Sequence, residues 1–225
     1  MEAGMTEDLR FSRQTTLVPS DKLANTAVTV VGVGAIGRQA AMQLAAVGVR
    51  HLQLIDFDTV ELANVASQGF PICDIGKPKV VAVQEAINTY DPDITVFTIV
   101  NRYCARFVLN PVVFCCVDSM KIRKLIWKQC KDKIDLWIDA RMLSEIIRVL
   151  VVDCAANYLE GSRYYDASLF SDEEAERGRC TAKSTIYTAN VAAGFMLQQF
   201  VMWLRRDDLN RDMMLVMSAG IIENR

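Results

Sequence analysis

The segment Gly32-Val33-Gly34-Ala35-Ile36-Gly37 constrains this chain more than any other. It ends a short β-branched apolar run over 27–33 that reads as a buried strand. It opens a stretch over 36–47 in which Ala41, Leu44 and Ala45 keep helical spacing until Gly48 stops them. Strand, glycine turn and helix in that order form the phosphate-binding entrance of a doubly wound α/β domain. The first glycine permits the tight turn, the second lets a phosphate approach the backbone, and the third lets helix pack on strand. The helix N-terminus adds free N–H groups and a positive dipole end. Asp56, closing the next predicted strand over 51–55, stands where a ribose-binding acid belongs.

The remaining pattern extends this start into a full sheet. Runs over 94–100 and 111–117 read as strands, the latter nearly all apolar and hence central. Segments 136–140 and 146–152 are close enough to pair antiparallel, and 213–217 supplies a last strand. Helices are expected from Pro78 through Ile87, over 119–130 and over 187–204. The expected fold class is therefore α/β: a Rossmann-like, mostly parallel sheet flanked by helices, with some antiparallel edge strands. The 225 residues suit one domain over 1–225, with an N-terminal arm or helix over 1–25. The polar, acidic stretch 154–186 reads as a mobile crossover loop.

Charge and cysteine usage exclude several classes. A formal net charge of −2 provides no basic field, so neither nucleic acid nor a membrane surface is an expected partner. Residues 1–10 are polar and acidic, and no run of about eighteen apolar residues occurs, so a cytoplasmic location is expected. The 7 cysteines are odd in number and form no C-x-x-C pair, which argues against a disulfide framework and against zinc. His51, the only histidine, starts a strand and reads as a turn or packing residue. Trp127, Trp137 and Trp203 fall within helix or strand periodicity, as core or subunit interface.

The glycine turn alone suits a nicotinamide dinucleotide as well as ATP. The following residues separate the two. Asp56-Phe57-Asp58-Thr59-Val60-Glu61-Leu62-Ala63-Asn64 runs on to Gln68, then Gly76-Lys77-Pro78-Lys79. Hydride transfer has no use for a second acid, an amide and a lysine in this order; cleavage of a triphosphate does. Asp56 can hold ribose hydroxyls, while Asn64 and Lys79 can neutralise phosphate charge as pyrophosphate departs. Asp118 lies at the carboxyl end of the apolar strand 111–117, and a carboxylate there suits Mg²⁺ shared with phosphate oxygens.

Five ordered blocks carry a family resemblance: Arg10-Phe11-Ser12-Arg13-Gln14, the glycine turn, 56–68, 76–79, and Cys116-Val117-Asp118-Ser119 through Arg123. The chain resembles the ThiF/MoeB/ubiquitin-activating-enzyme superfamily, whose members adenylate the C-terminal glycine of ubiquitin-like proteins. The resemblance implies ATP and Mg²⁺ as cofactors, with Gly32, Gly34, Gly37, Asp56, Asp58, Asn64 and Lys79 binding the nucleotide. It implies that Arg13 reaches the γ-phosphate of a partner subunit, hence a homodimer, and that Asp118 serves the metal. Arg13, Lys79, Asp118 and Cys180 are the expected catalytic residues. Cys180, flanked by Arg179 and Lys183, resembles in its placement the cysteine that takes the activated carboxylate in several members.

Two departures stand out. Ser67 occupies the place of an arginine in the family motif, leaving one phosphate cation to be supplied elsewhere, with Arg38 and Arg123 as candidates. The paired zinc cysteines of many relatives are absent. The expected activity is ATP-dependent activation of the C-terminal carboxylate of a ubiquitin-like or sulfur-carrier protein, with thioester formation on Cys180. The alternatives are a non-catalytic partner subunit of such an enzyme and an NAD-binding oxidoreductase.

Overall fold

A computed structural model describes residues 9–156, 158–170 and 185–224. Eight strands form one sheet in the order β3-β2-β1-β4-β5-β6-β7-β8. Strands β1 (Ala27–Val31), β2 (His51–Asp56), β3 (Thr95–Val100), β4 (Val112–Cys115) and β5 (Leu136–Leu143) run parallel. Strands β6 (Ile146–Asp153), β7 (Asp212–Val216) and β8 (Ile221–Asn224) complete the sheet antiparallel. The α/β architecture expected from periodicity is thus present, including the 136–153 hairpin. Strand β8 escaped the sequence reading because all its positions are exposed and it carries no alternating apolar face.

The parallel strands inside the edge strand β3 are buried on both faces, which is why they read as near-continuous apolar runs. Along β4, Val112 and Phe114 join one core while Val113 and Cys115 join the other. Helices α2 (Ala35–Val47), α4 (Lys79–Tyr90) and α7 (Ile186–Arg205) contribute to the first core. Helices α5 (Met120–Cys130) and α6 (Tyr158–Ala167) contribute to the second, where Trp127, Trp137 and Tyr165 meet with ring centroids 4.8–5.7 Å apart. Trp127 and Trp137 are core, as periodicity implied, and Trp203 stacks on Phe200 of the same helix. Two short helices, α1 (Ser20–Ala24) and α3 (Leu62–Gln68), flank β1 and follow β2.

The stretch read as one loop over 154–186 is not uniformly a loop. Helix α6 lies within it, with Ser162 and Tyr165 buried on one side and Ser168 buried just past its end, a face that its polar composition conceals. Cys180 and residues 171–184 lie outside the described residues. The six described cysteines are all free. Cys115 is buried in the sheet and Cys116 half-buried just past it, and desolvation raises both thiols, to about 12 for Cys115, so they act as packing residues. His51 is exposed at the first position of β2. Among the described residues no helix is long and apolar enough to cross a membrane.

Candidate active site

The strand order changes direction between β1 and β4, and the crevice beyond their carboxyl ends is where open α/β sheets bind ligands. The glycine turn sits in that crevice. Gly32 donates to the Ile55 carbonyl at 2.9 Å, and Cys116 donates to the Val31 carbonyl at 2.8 Å, tying the turn to the ends of β2 and β4. Gly32 has φ +85°, and a β-carbon there would lie 2.8 Å from the backbone of Cys116. On Gly37 a β-carbon would lie 1.8 Å from the Gly32 carbonyl oxygen. Both glycines are therefore demanded by the chain itself. Gly34 is different: the nearest atom to a β-carbon there, Gln68 Oε1, is 3.9 Å away. Space over Gly34 is left open on the side where a phosphate would approach, and the first amides of α2 lack intrahelical acceptors there.

Asp56 ends β2 beside this turn. Its carboxylate accepts from the amides of Val33 at 2.5 Å and Asp58 at 2.9 Å. Burial raises its pKa, with those two amides and the nearby Lys79 charge partly opposing the shift. A desolvated anion already oriented by two amides can still accept from ribose hydroxyls through its remaining lone pairs.

Segments 58–60 and 76–79 clamp into one ribbon. Lys79 donates its amide to the Asp58 carbonyl, and Val60 to that of Lys77, at 2.9 and 2.8 Å, with a bridge between Thr59 and Pro78. This clamp delivers the Lys79 ammonium, 6% exposed, to 3.0 Å from the Asp58 carboxylate. Asp58 thus reaches Lys79 directly, a pairing that spacing did not suggest. Pro78 is the residue just before α4 rather than its first. Asn64 lies in the first turn of α3, its Oδ1 accepting the Glu61 amide at 2.9 Å, which leaves its NH₂ group to donate. Ser67 bonds back to the Ala63 carbonyl at 2.7 Å.

Asp118 follows β4, against the backbone that packs on Gly32. Its neighbour Ser119 caps α5 by accepting the Ile122 amide at 3.3 Å, so the cap that competes for Asp118 oxygens is supplied by another side chain. Asp118 is exposed and makes no hydrogen bond among the described residues. Those residues contain no cluster of three or more histidine, cysteine or acidic groups suited to a resident metal. A lone carboxylate fits magnesium where a ligand's phosphate oxygens complete the shell, since magnesium favours few protein ligands.

Arg123 is not available to phosphate. It is buried with its Nε 2.6 Å from Asp139, and its guanidinium also donates to the Val117 carbonyl. Arg141 and Tyr165 complete the shell of Asp139 at 2.8 and 3.0 Å. Arg123 is therefore a positioning residue that pins the loop carrying Asp118; nothing in its sequence neighbourhood announced a partner sixteen positions away. Arg38 remains the other candidate for the cation missing at Ser67.

Arg13 lies far from its own chain's turn. Its neighbours Phe11 and Gln14 contact Gly48 and the Val47 carbonyl, at the opposite end of α2. That helix of 13 residues spans roughly 20 Å, more than an arginine reaches. Arg13 is exposed.

Fold and site together define a doubly wound α/β protein whose glycine turn is followed by an acid, a clamped lysine and a free carboxylate. The model of the ThiF family matches residues 10–217, and the chain belongs to that family. It is 34% identical over 142 residues to the molybdopterin-synthase adenylyltransferase of Haemophilus influenzae, covering 58% of each chain. It is 27% identical over 205 residues to ubiquitin-like modifier-activating enzyme 5 of Dictyostelium discoideum, covering 82% of this chain and 54% of that one. The chain spans just over half the length of these relatives. The crystal structure of Escherichia coli MccB with ATP shares the fold, with a TM-score of 0.80 and 20% identity over 96% of this chain and 70% of that chain.

Proposed function

We propose that this protein is an ATP-dependent adenylyltransferase that activates the C-terminal carboxylate of a ubiquitin-like or sulfur-carrier protein. The supporting observation is the clamp that brings Lys79 onto Asp58, two residues past Asp56, the position proposed to bind ribose. The named adenylyltransferase relatives point the same way. In the proposed reaction a carboxylate oxygen attacks the α-phosphorus, the bond to the β-phosphate breaks, and pyrophosphate leaves. No proton need move, because the carboxylate is already ionised. Asp56 orients the ribose, Gly34 and the first amides of α2 receive phosphate, and Lys79 and Asn64 offset the charge that grows on the departing pyrophosphate. Mg²⁺, held by Asp118 together with phosphate oxygens, would add charge neutralisation.

The second step assigned to the protein is attack of the Cys180 thiolate on the acyl carbon, forming a thioester and releasing AMP. A homodimer in which Arg13 serves the neighbouring site completes the proposal, and the reaction is assigned to the cytoplasm. ATP–pyrophosphate exchange should require a carrier with a free C-terminal carboxylate and vanish when that carboxylate is amidated. Cys180→Ala should retain exchange but lose the reductant-labile conjugate. Saturable NADH binding without MgATP binding overturns the whole reading. A second reading, a non-catalytic partner subunit, draws on Ser67; it predicts no MgATP binding by the chain alone but restored activity in a relative.

A further inference from the structure

Helices α2 and α3 pack together so that the start of one faces the end of the other. At that junction stands Arg38, one turn into α2. Its guanidinium lies 5.1 Å from the Phe70 ring centroid. A terminal nitrogen comes within 3.2 Å of where a Gly69 β-carbon would be, immediately after Ser67 and Gln68. Arg38 makes no hydrogen bond or ion pair among the described residues, although burial disfavours its charge and only Asp74 opposes that penalty. Asp74 is itself bound to Lys77 at 2.9 Å. A half-buried cation without a hydrogen-bonded anion costs free energy unless something else supplies the anion.

A second observation marks the same place. Gln68 Oε1 is buried without a hydrogen-bond partner. It is also the atom closest to the open space over Gly34. Meanwhile the Gln68 carbonyl is held by Gln39 Nε2 at 2.9 Å, so this corner is fixed, with Gln68 Oε1 toward Gly34 and the Arg38 guanidinium beside Gly69. The cation lacks a hydrogen-bonded anion and the amide oxygen lacks a donor, so a ligand that carries both anionic oxygens and hydroxyl or amino donors would complete this rim.

We propose that Arg38 is the phosphate-contacting cation that takes the place of the arginine missing at Ser67. The proposal rests on the ATP reading above. Transferring the charge from the end of α3 to the first turns of α2 keeps it at the same rim, with the cation now beside the negative end of α3. Ser67, bonded back to its own helix, then needs no charge.

Binding of fluorescent-labelled ATP, AMP and unlabelled adenosine, measured by titration and calorimetry, tests this. Arg38→Gln keeps much of the stem over Phe70 and should weaken ATP about tenfold or more, AMP less, and adenosine under about twofold. Adding Ser67→Arg to Arg38→Gln should recover most of the lost ATP affinity. Unchanged ATP binding in Arg38→Gln overturns the proposal, as does equal loss for ATP and adenosine, which marks a structural role. Failure of Ser67→Arg to restore binding in a chain that still holds adenosine overturns the substitution of one position for the other. If the unaltered chain binds no ATP, the adenylation reading falls first and this proposal with it, before any variant is compared.

Discussion

Gly34 and Gly37 separate what the chain requires of its glycines from what a ligand requires. Gly37→Ala drives a methyl into the Gly32 carbonyl, so it should cost about 3 kcal/mol or more in urea denaturation. Gly34→Ala meets nothing closer than 3.9 Å and should cost no more than about 1 kcal/mol, yet lower ATP affinity by occupying the phosphate's approach. Asp56 adds a pH signature. Its pKa is raised by burial, so the folded chain holds that proton more tightly than the unfolded chain, and this group favours folding as the pH falls. Ribose recognition runs the opposite way, since it uses the anion. Adenosine affinity should decline on acidification above the ordinary value of roughly 3.9, while Asp56→Asn should bind more weakly and lose that dependence. A titration that parallels the unmodified carboxylate range removes the buried-anion account.

At the scale of elements, the loop after β4 is shaped by a buried ion cluster. Asp139 is fully buried between Arg123, Arg141 and Tyr165, and Arg123 also holds the Val117 carbonyl. Arg123→Leu leaves a buried carboxylate short of a partner and should destabilise by about 3 kcal/mol. Combining it with Asp139→Asn should return part of that loss. Because Asp118 sits on the released loop, the single variant should also weaken ATP binding in proportion to its effect on loop order, read as faster amide exchange at 117–119. The long polar stretch after β6 teaches a similar lesson: α6 was hidden because its buried stripe is built from serine and tyrosine, which carry little apolar signal. Helix α3 escaped notice for its brevity and its lack of any buried residue.

For the molecule as a whole, the position of Arg13 at the far end of α2 from its own turn makes cooperation between copies a physical requirement of the proposed chemistry. Arg13→Ala and Lys79→Ala should each be inactive alone. Mixed and allowed to exchange, they should regain about a quarter of full exchange activity, because half the dimers are mixed and each carries one intact site. No recovery on mixing, despite demonstrated subunit exchange, would remove Arg13 from the reaction.

The glycine turn, Asp56, the parallel strands and most long helices were legible in the chain because they are written in short-range terms. Alternation, helical spacing and turn residues depend on neighbours a few positions away. Partnerships were not legible: Lys79 with Asp58, Arg123 with Asp139, and the separation of Arg13 from its own turn join or divide segments through the sheet order. Arg38 shows the difference most clearly. From the sequence it is one of two candidate cations; only the packing of α3 against α2 half-buries it over Phe70 without a hydrogen-bonded anion. Local patterning decides which elements form, whereas desolvation and charge pairing depend on which elements approach, and that is settled in three dimensions.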